Sequence, residues 1–403
     1  MSAYAFIIGD AEVQLWGLGS RERIRRLLQR AGIDRVVDDL RSVPPGAGVI
    51  LIRADHLYEP RTVRDLSRSP ATLLQVEGPE GSRPVAAHVS GDQVVTAHAV
   101  LTGVLDPGQL QGVRVMDAGR LSSGFDAALR KSAEPMIQPI EASNQDGLEE
   151  QLFSGAYKGV TDLVTKWWWP TPARYVTRWC TKLGVRPNHV TVVGLSLVIL
   201  AGVLFAYGQL GWGLAAAWLM TFLDTVDGKL ARVTVTSSRL GHILDHGIDM
   251  IHPPFWYLAW GMGLQSFAPG IPGLDLEAAI WLIFLGYIAG RLAEGGFQLW
   301  FGRFGIFCWR PFDSYFRLIT ARRNPNLILL TLGLALGRPD LGLAGVMVWT
   351  LVSSAVLLLR LVMAWWARRD GPLQSWLAAP DTDVDAGPLA ARLFAGRTTS
   401  ARG

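Results

Sequence analysis

The chain has 403 residues, half of them hydrophobic and 18% charged, with 16 tryptophans and a mean hydropathy of +0.25. That balance argues against an ordinary soluble protein and makes a membrane protein the first class to test. A net charge of +4 is too small to imply a nucleic-acid partner without a clustered basic face, and Cys180 and Cys308 are too far apart in sequence to suggest a disulfide framework or a cysteine metal site.

Residues 1–150 read as a soluble α/β domain. The runs AFIIG, GVILIRAD, ATLLQVE and QVVTAHAVL have strand length, while SRERIRRLLQRAG puts Ile24, Leu27 and Leu28 on one helical face, with Ser20 as N-cap and Gly32 as stop. Such alternation predicts a parallel or mixed sheet with helices on its faces. GLGS at 17–20 reads as a turn, because it lacks the spacing and lysine of a phosphate loop. The opening MSAYAFIIGDAEVQLWG has neither the basic start nor the small-residue cleavage site of a secretory signal, so this segment is expected to stay in the cytosol.

Residues 151–187 read as an amphipathic interfacial linker helix. Trp167, Trp168 and Trp169 are followed by Arg174, Arg178 and Lys182, a pairing that suits the headgroup layer, where indole rings lie flat and basic stems snorkel. Residues 188–369 carry six long apolar runs, giving a predicted α-helical integral membrane domain of about six spanning helices after the α/β domain. Basic residues crowd alternate loops: Lys229, Arg232 and Arg239 between the second and third spans, then Arg303, Arg310, Arg317, Arg322 and Arg323 between the fourth and fifth. The positive-inside rule then puts both termini and the loop after the second span in the cytosol. The tail, 370–403, is rich in Ala, Gly, Pro, Asp and Thr and is expected to be disordered.

The stretch DTVDGKLARVTVTSSRLGHILDHGID, 224–249, carries the chemistry. Asp224 and Asp227 are three apart and Asp245 and Asp249 four apart, so each pair shares a helix face at a cytosolic helix end. Four converging carboxylates repel one another unless cations lie between them or protons lie on them. Hard divalent ions such as Mg²⁺ or Mn²⁺ take oxygen ligands, and two ions about 4 Å apart suit phosphate chemistry. Gly228, Ala231 and Gly241 let a bulky ligand approach the backbone, and Arg232 suits a diphosphate.

The pattern D-x-x-D-G-x-x-A-R, eight residues, then G-x-x-x-D-x-x-x-D is complete at Asp224, Asp227, Gly228, Ala231, Arg232, Gly241, Asp245 and Asp249. It resembles the signature of the CDP-alcohol phosphotransferase family, and RPNHVT at 186–191 is similar to the family's P-N-x-x-T stretch. The resemblance covers roughly 170–369. It implies a homodimeric six-helix membrane domain that moves a substituted phosphate from a CDP-linked donor to an alcohol and releases CMP. It further implies that Asp224, Asp227, Asp245 and Asp249 hold two divalent cations and that Asp249 is the general base. Asn188, Thr191, Gly228, Ala231, Arg232, Ser238 and Gly241 would contact the cytidine diphosphate.

Other charged residues near the spans have two readings each. Arg291 and Glu294 are either an internal ion pair or, with Arg303, part of an acceptor pocket. His242, His246 and His252 are read as helix-end or supporting histidines rather than metal ligands, and Pro253 and Pro254 are expected to bend the third span. RERIRRLLQRAGIDRVV and GVILIRADHLYEP look like parts of sugar-phosphate nucleotidyltransferases, with Asp55 at a metal-aspartate position, but the opening glycine-rich loop is not intact. A degenerate, non-catalytic domain is therefore expected, with a bifunctional nucleotidyltransferase plus CDP-inositol-dependent transferase as the alternative. A carboxylate-lined cation transporter is the rival outside enzymes, and it would place its charges nearer the bilayer midplane.

Overall fold

The computed structural model describes residues 4–78, 81–236, 239–265, 275–302, 304–379 and 387–395, and within 239–246 it describes the backbone alone. The N-terminal region runs β1 (Tyr4–Ile8), α1 (Ser20–Arg30), β2 (Arg35–Val37), β3 (Gly48–Arg53), β4 (His56–Tyr58), α2 (Pro60–Ser67), β5 (Thr72–Gly78), β6 (Gly81–Ser90), α3 (Val94–Leu101), β7 (Arg114–Met116), α4 (Ala118–Leu121), β8 (Phe125–Asp126), β9 (Lys131–Ser132), β10 (Ile137–Pro139) and α5 (Gln145–Gly155). Six strands form one mixed sheet in the order β2-β1-β3-β6-β5-β7. β1 pairs parallel with β2 and β3, β6 runs antiparallel between β3 and β5, and β7 is parallel to β5. β3 is buried on both faces: Ile50 and Ile52 meet Ile24, Leu27 and Leu28 of α1, while Val49 and Leu51 meet Val94, Ala97 and Val100 of α3.

Two local expectations change here. QVVTAHAVL contains the helix α3, not a strand, because Val94, Ala97, Val100 and Leu101 recur at helical spacing and are buried while Val95 is exposed. Helix α1 is capped by Gly19. Ser20 is already helical, and its hydroxyl donates to Asp10 and accepts from the Ala11 N–H. Gly32 ends the helix at φ +86° and Gly17 turns the GLGS loop at φ +68°, conformations that favour glycine.

The expected linker helix is in pieces. After α5 come a single π turn at Val164–Trp168 and helix α6 (Pro170–Lys182). Gly155 ends α5 and the intervening stretch holds Gly159, where a Cβ would lie 2.4 Å from the Phe394 carbonyl oxygen and 2.7 Å from that of Arg130. α6 buries Ala173, Thr177 and Cys180 and exposes Tyr175 and Trp179.

Seven further helices follow: α7 (Pro187–Ala206), α8 (Leu210–Val233), α9 (Arg239–Leu264), α10 (Leu276–Phe301), α11 (Pro311–Ile319), α12 (Arg323–Ala335) and α13 (Pro339–Ala367). One core joins six of them, with Phe205 of α7, Met220 of α8, Trp260 of α9, Ile283 of α10, Leu330 of α12 and Val346 of α13. Three helices, Pro187–Ala206, Leu276–Phe301 and Pro339–Asp370, are long and apolar enough to cross a membrane. Their outward faces carry Ile199, Leu200, Trp281, Leu285, Val352 and Leu359 exposed, a burden that lipid relieves. α8 and α9 are as long but bear the charged motif, and α12 has only 13 residues, about 20 Å of helix. Helix α9 continues through Pro253 and Pro254.

The described parts of the tail, within 370–379 and 387–395, pack against the bundle. Trp376, Leu377, Ala390 and Phe394, the last two on α14 (Gly387–Phe394), are buried in a core with Phe297, Trp309 and Phe316. A few well-spaced apolar residues suffice here because the neighbouring parts of α10, α11 and α13 offer a ready apolar surface.

Candidate active site

α7, α8, α9 and α12 bring the site together. Asp224 and Asp227 lie one helical turn apart on α8, and Asp249 lies on α9. With Thr191, Gly194 and Ile248 they line one narrow cleft. Asp227 is buried and accepts a hydrogen bond of 2.8 Å from the Thr191 hydroxyl. The Asp249 side chain is the more open of the other two, 41% exposed against 20% for Asp224, which leaves it the better placed to meet an incoming group.

Between these two carboxylates stands Arg323, at the start of α12. Its guanidinium donates to Asp224 at 2.5 Å and also pairs with Asp249. One planar cation thereby offsets the repulsion of two acids on different helices. Sequence reasoning counted Arg323 only as a topological charge. The signal it missed is electrostatic: a cation in the first turn opposes the helix dipole, so an arginine opening an apolar helix implies a carboxylate nearby.

The expected nucleotide contacts are distributed as follows. Asn188 is exposed in the first turn of α7. A Cβ on Gly228 would lie 3.4 Å from the Arg232 guanidinium, so the missing side chain gives Arg232 room to fold back along α8, where it donates to the Ala156 carbonyl at 3.3 Å. Ala231 is half-buried beside it. Ser238 and Arg303 lie outside the described residues, as do the side chains of Asp245, His242 and His246 and the Cβ position of Gly241. His252 is buried, with Nδ1 2.6 Å from the Ile248 carbonyl oxygen.

Arg291 and Glu294 form an ion pair of 2.8 Å, and Arg322 pairs with the second oxygen of Glu294. Both cysteines are free and buried. Asp55, at the end of β3, is held by Arg53 and His56. Burial would raise its pKa, but hydrogen bonds from His56 and Arg53 outweigh burial and hold the carboxyl well below the usual range.

The donor set suits a hard divalent cation: carboxylate oxygens from two adjacent helices, already drawing a cation between them. Among the described residues no three acidic, histidine or cysteine side chains converge closely enough to hold an ion, and Asp245, which would complete the set, is not among the described side chains.

Residues 185–302 match the family described as CDP-alcohol phosphatidyltransferase. The chain is 27% identical over 190 residues to cholinephosphotransferase 1 of Danio rerio, covering 44% of this chain and 43% of that protein. It is 33% identical over 92 residues to a phosphatidylinositol phosphate synthase of Mycobacteroides abscessus, covering 21% and 42%. It is 41% identical over 70 residues to the synthase of Streptomyces avermitilis, covering 17% and 28%. The chain spans less than half the length of these relatives. The segment that holds α7 to α10 carries a domain that matches the CDP-alcohol phosphatidyltransferase family.

Proposed function

We propose that the protein is an integral membrane transferase that moves a substituted phosphate from a CDP-linked donor to an alcohol with release of CMP. The observation that carries this reading is the placement of Asp224, Asp227 and Asp249 around one cleft within the family-matched segment. Six helices, α7 to α10 with α12 and α13, form the bundle. Both termini and the cleft face the cytosol, and two copies associate as a homodimer.

Asp224, Asp227, Asp245 and Asp249 would hold two divalent cations, Mg²⁺ or Mn²⁺. Bound there, such ions supply charge neutralisation for the diphosphate and for the departing CMP. The protein's own groups do the rest. Thr191 fixes the orientation of Asp227, Arg232 and the open face at Gly228 receive the diphosphate, and Asp249 takes the proton of the acceptor hydroxyl as it attacks phosphorus. The Arg291–Glu294–Arg322 cluster lies beside this site as a candidate acceptor wall.

The test is CMP release by purified protein with Mn²⁺ or Mg²⁺, across a matrix of CDP-diacylglycerol, soluble CDP-alcohols and alcohol acceptors. At least one pair gives turnover, and Asp249→Asn lowers it by about 100-fold or more, the range of a lost general base. If every pair stays at the level of that variant, the transferase reading fails.

A further inference from the structure

Six cations crowd the seam between the α/β domain and the bundle, and four of them come from outside the family-matched segment. The connector after α5 pairs with the loop before β9: Gly159 N–H donates to Leu129 O at 2.9 Å and Val160 N–H to Arg130 O at 3.1 Å. This brings Arg130, Lys131 and Lys158 beside Lys229 and Arg232 of α8 and Arg317 of α11, charges that interact with one another across the seam.

Their partners are mostly neutral. Lys131 donates to Gly155 O at 2.5 Å, and Lys229 to Ala156 O at 2.9 Å, with its ammonium 3.1 Å from the centre of the Tyr157 ring. Arg317 has Nε and Nη1 buried without a hydrogen-bond partner among the described residues. Lys158 makes neither a hydrogen bond nor an ion pair among the described residues. Burial, then the charges of Arg130, Arg232 and Arg317, push its pKa down to about 8 against the pull of Asp224. Arg130 itself is held at φ +50°, a backbone strain that commonly marks functional sites. Acids act on the cluster from its edges, Glu59 and Asp126 on Lys131, Asp162 and Glu294 on Arg317 and Asp224 on Lys158, but Glu59, Glu294 and Asp224 are each paired with another arginine, so the six cations remain short of negative charge.

We infer that Lys158, with Lys131 and Arg317, forms a subsite for a substrate phosphate, so that the connector outside the family domain completes the active site. The inference rests on the proposed transferase reading, because Arg232 and Asp224 border the same cluster. The phosphate belongs either to the nucleotide diphosphate or to a phosphate ester on the acceptor.

The experiment uses the full chain in lipid nanodiscs, titrated with CDP, and then the CDP-saturated chain titrated with inorganic phosphate. Lys158→Gln is expected to weaken one of the two by about tenfold, the loss of one charge-assisted contact, with Lys158→Arg close to wild type. Weaker CDP binding puts the phosphate on the donor, and weaker inorganic phosphate binding alone puts it on the acceptor. If neither changes, the subsite is overturned. Should Lys158→Gln not fold, Lys131→Gln is read in the same titrations, with the same outcomes. A wild-type chain that binds no CDP and releases no CMP instead defeats the transferase reading beneath it.

Discussion

Arg323 holds a position that a divalent cation would contest. It bridges Asp224 and Asp249, so filling the site with metal must loosen or redirect its guanidinium, and removing the guanidinium leaves two acids facing each other. Arg323→Met is expected to lower stability by about 2 kcal/mol in chelator, the loss of charged hydrogen bonds in a partly buried site. Added Mn²⁺ should restore much of that loss. Thermal melts with and without Mn²⁺ check this, and an equal deficit in both conditions would count against a shared cation position. Lys158 gives a second residue-scale expectation. Its pKa in the fold is about 8, below the ordinary lysine value of about 10.4, so between those values the unfolded chain binds more protons and stability rises with pH. Below pH 8 the charged lysine costs stability in full. Lys158→Gln should therefore melt above wild type at pH 7, with the gap narrowing by pH 10.

At the level of elements, close helix contacts depend on glycine. A Cβ on Gly263 of α9 would lie 2.1 Å from the Phe205 carbonyl oxygen at the end of α7. Glycine to alanine in a helix interior normally stabilises by about 1 kcal/mol. Here Gly263→Ala should destabilise instead, since the obstacle is backbone, and a lowered melting temperature with wild-type helix content would show it. What the sequence made legible follows the same logic. The Asp224 to Asp249 motif could be placed because its spacing is local to two consecutive helices. β1, β3 and β5 could be placed because their runs are short and apolar. α3 was misjudged by run length alone, and the α14 tail by composition alone, since neither measure knows which surface lies opposite. Arg323, Lys158 and Lys131 escaped for a related reason: each meets its charged neighbours only through packing between segments distant in sequence.

The whole molecule places its charges unevenly. Motif, cation cluster and α/β domain lie at one end of the bundle, and the turns at Gly208 and Gly337 lie at the other. A thiol-reactive probe that does not cross membranes should label single cysteines put at Gln209 and Gly337 in a cysteine-free background from outside the cell. One put at Glu22 on α1 should react only after permeabilisation. Reversed labelling would overturn the proposed orientation.

Val235 follows α8 in the spacer of the aspartate motif, at φ +53°, and yet it is buried in the core of the α/β domain beside Ile24 and Leu28. Arg26 of α1 reinforces that grip with a 2.8 Å hydrogen bond to the Thr234 carbonyl. A left-handed backbone is uncommon for a β-branched residue and persists because its surroundings hold it. The spacer is thus tied to the fold of the α/β domain: heat that melts the sheet also releases the spacer. Calorimetry of the full chain, paired with CMP-release assays on heated samples, should accordingly show activity lost within the transition of the α/β domain, before the bundle itself comes apart.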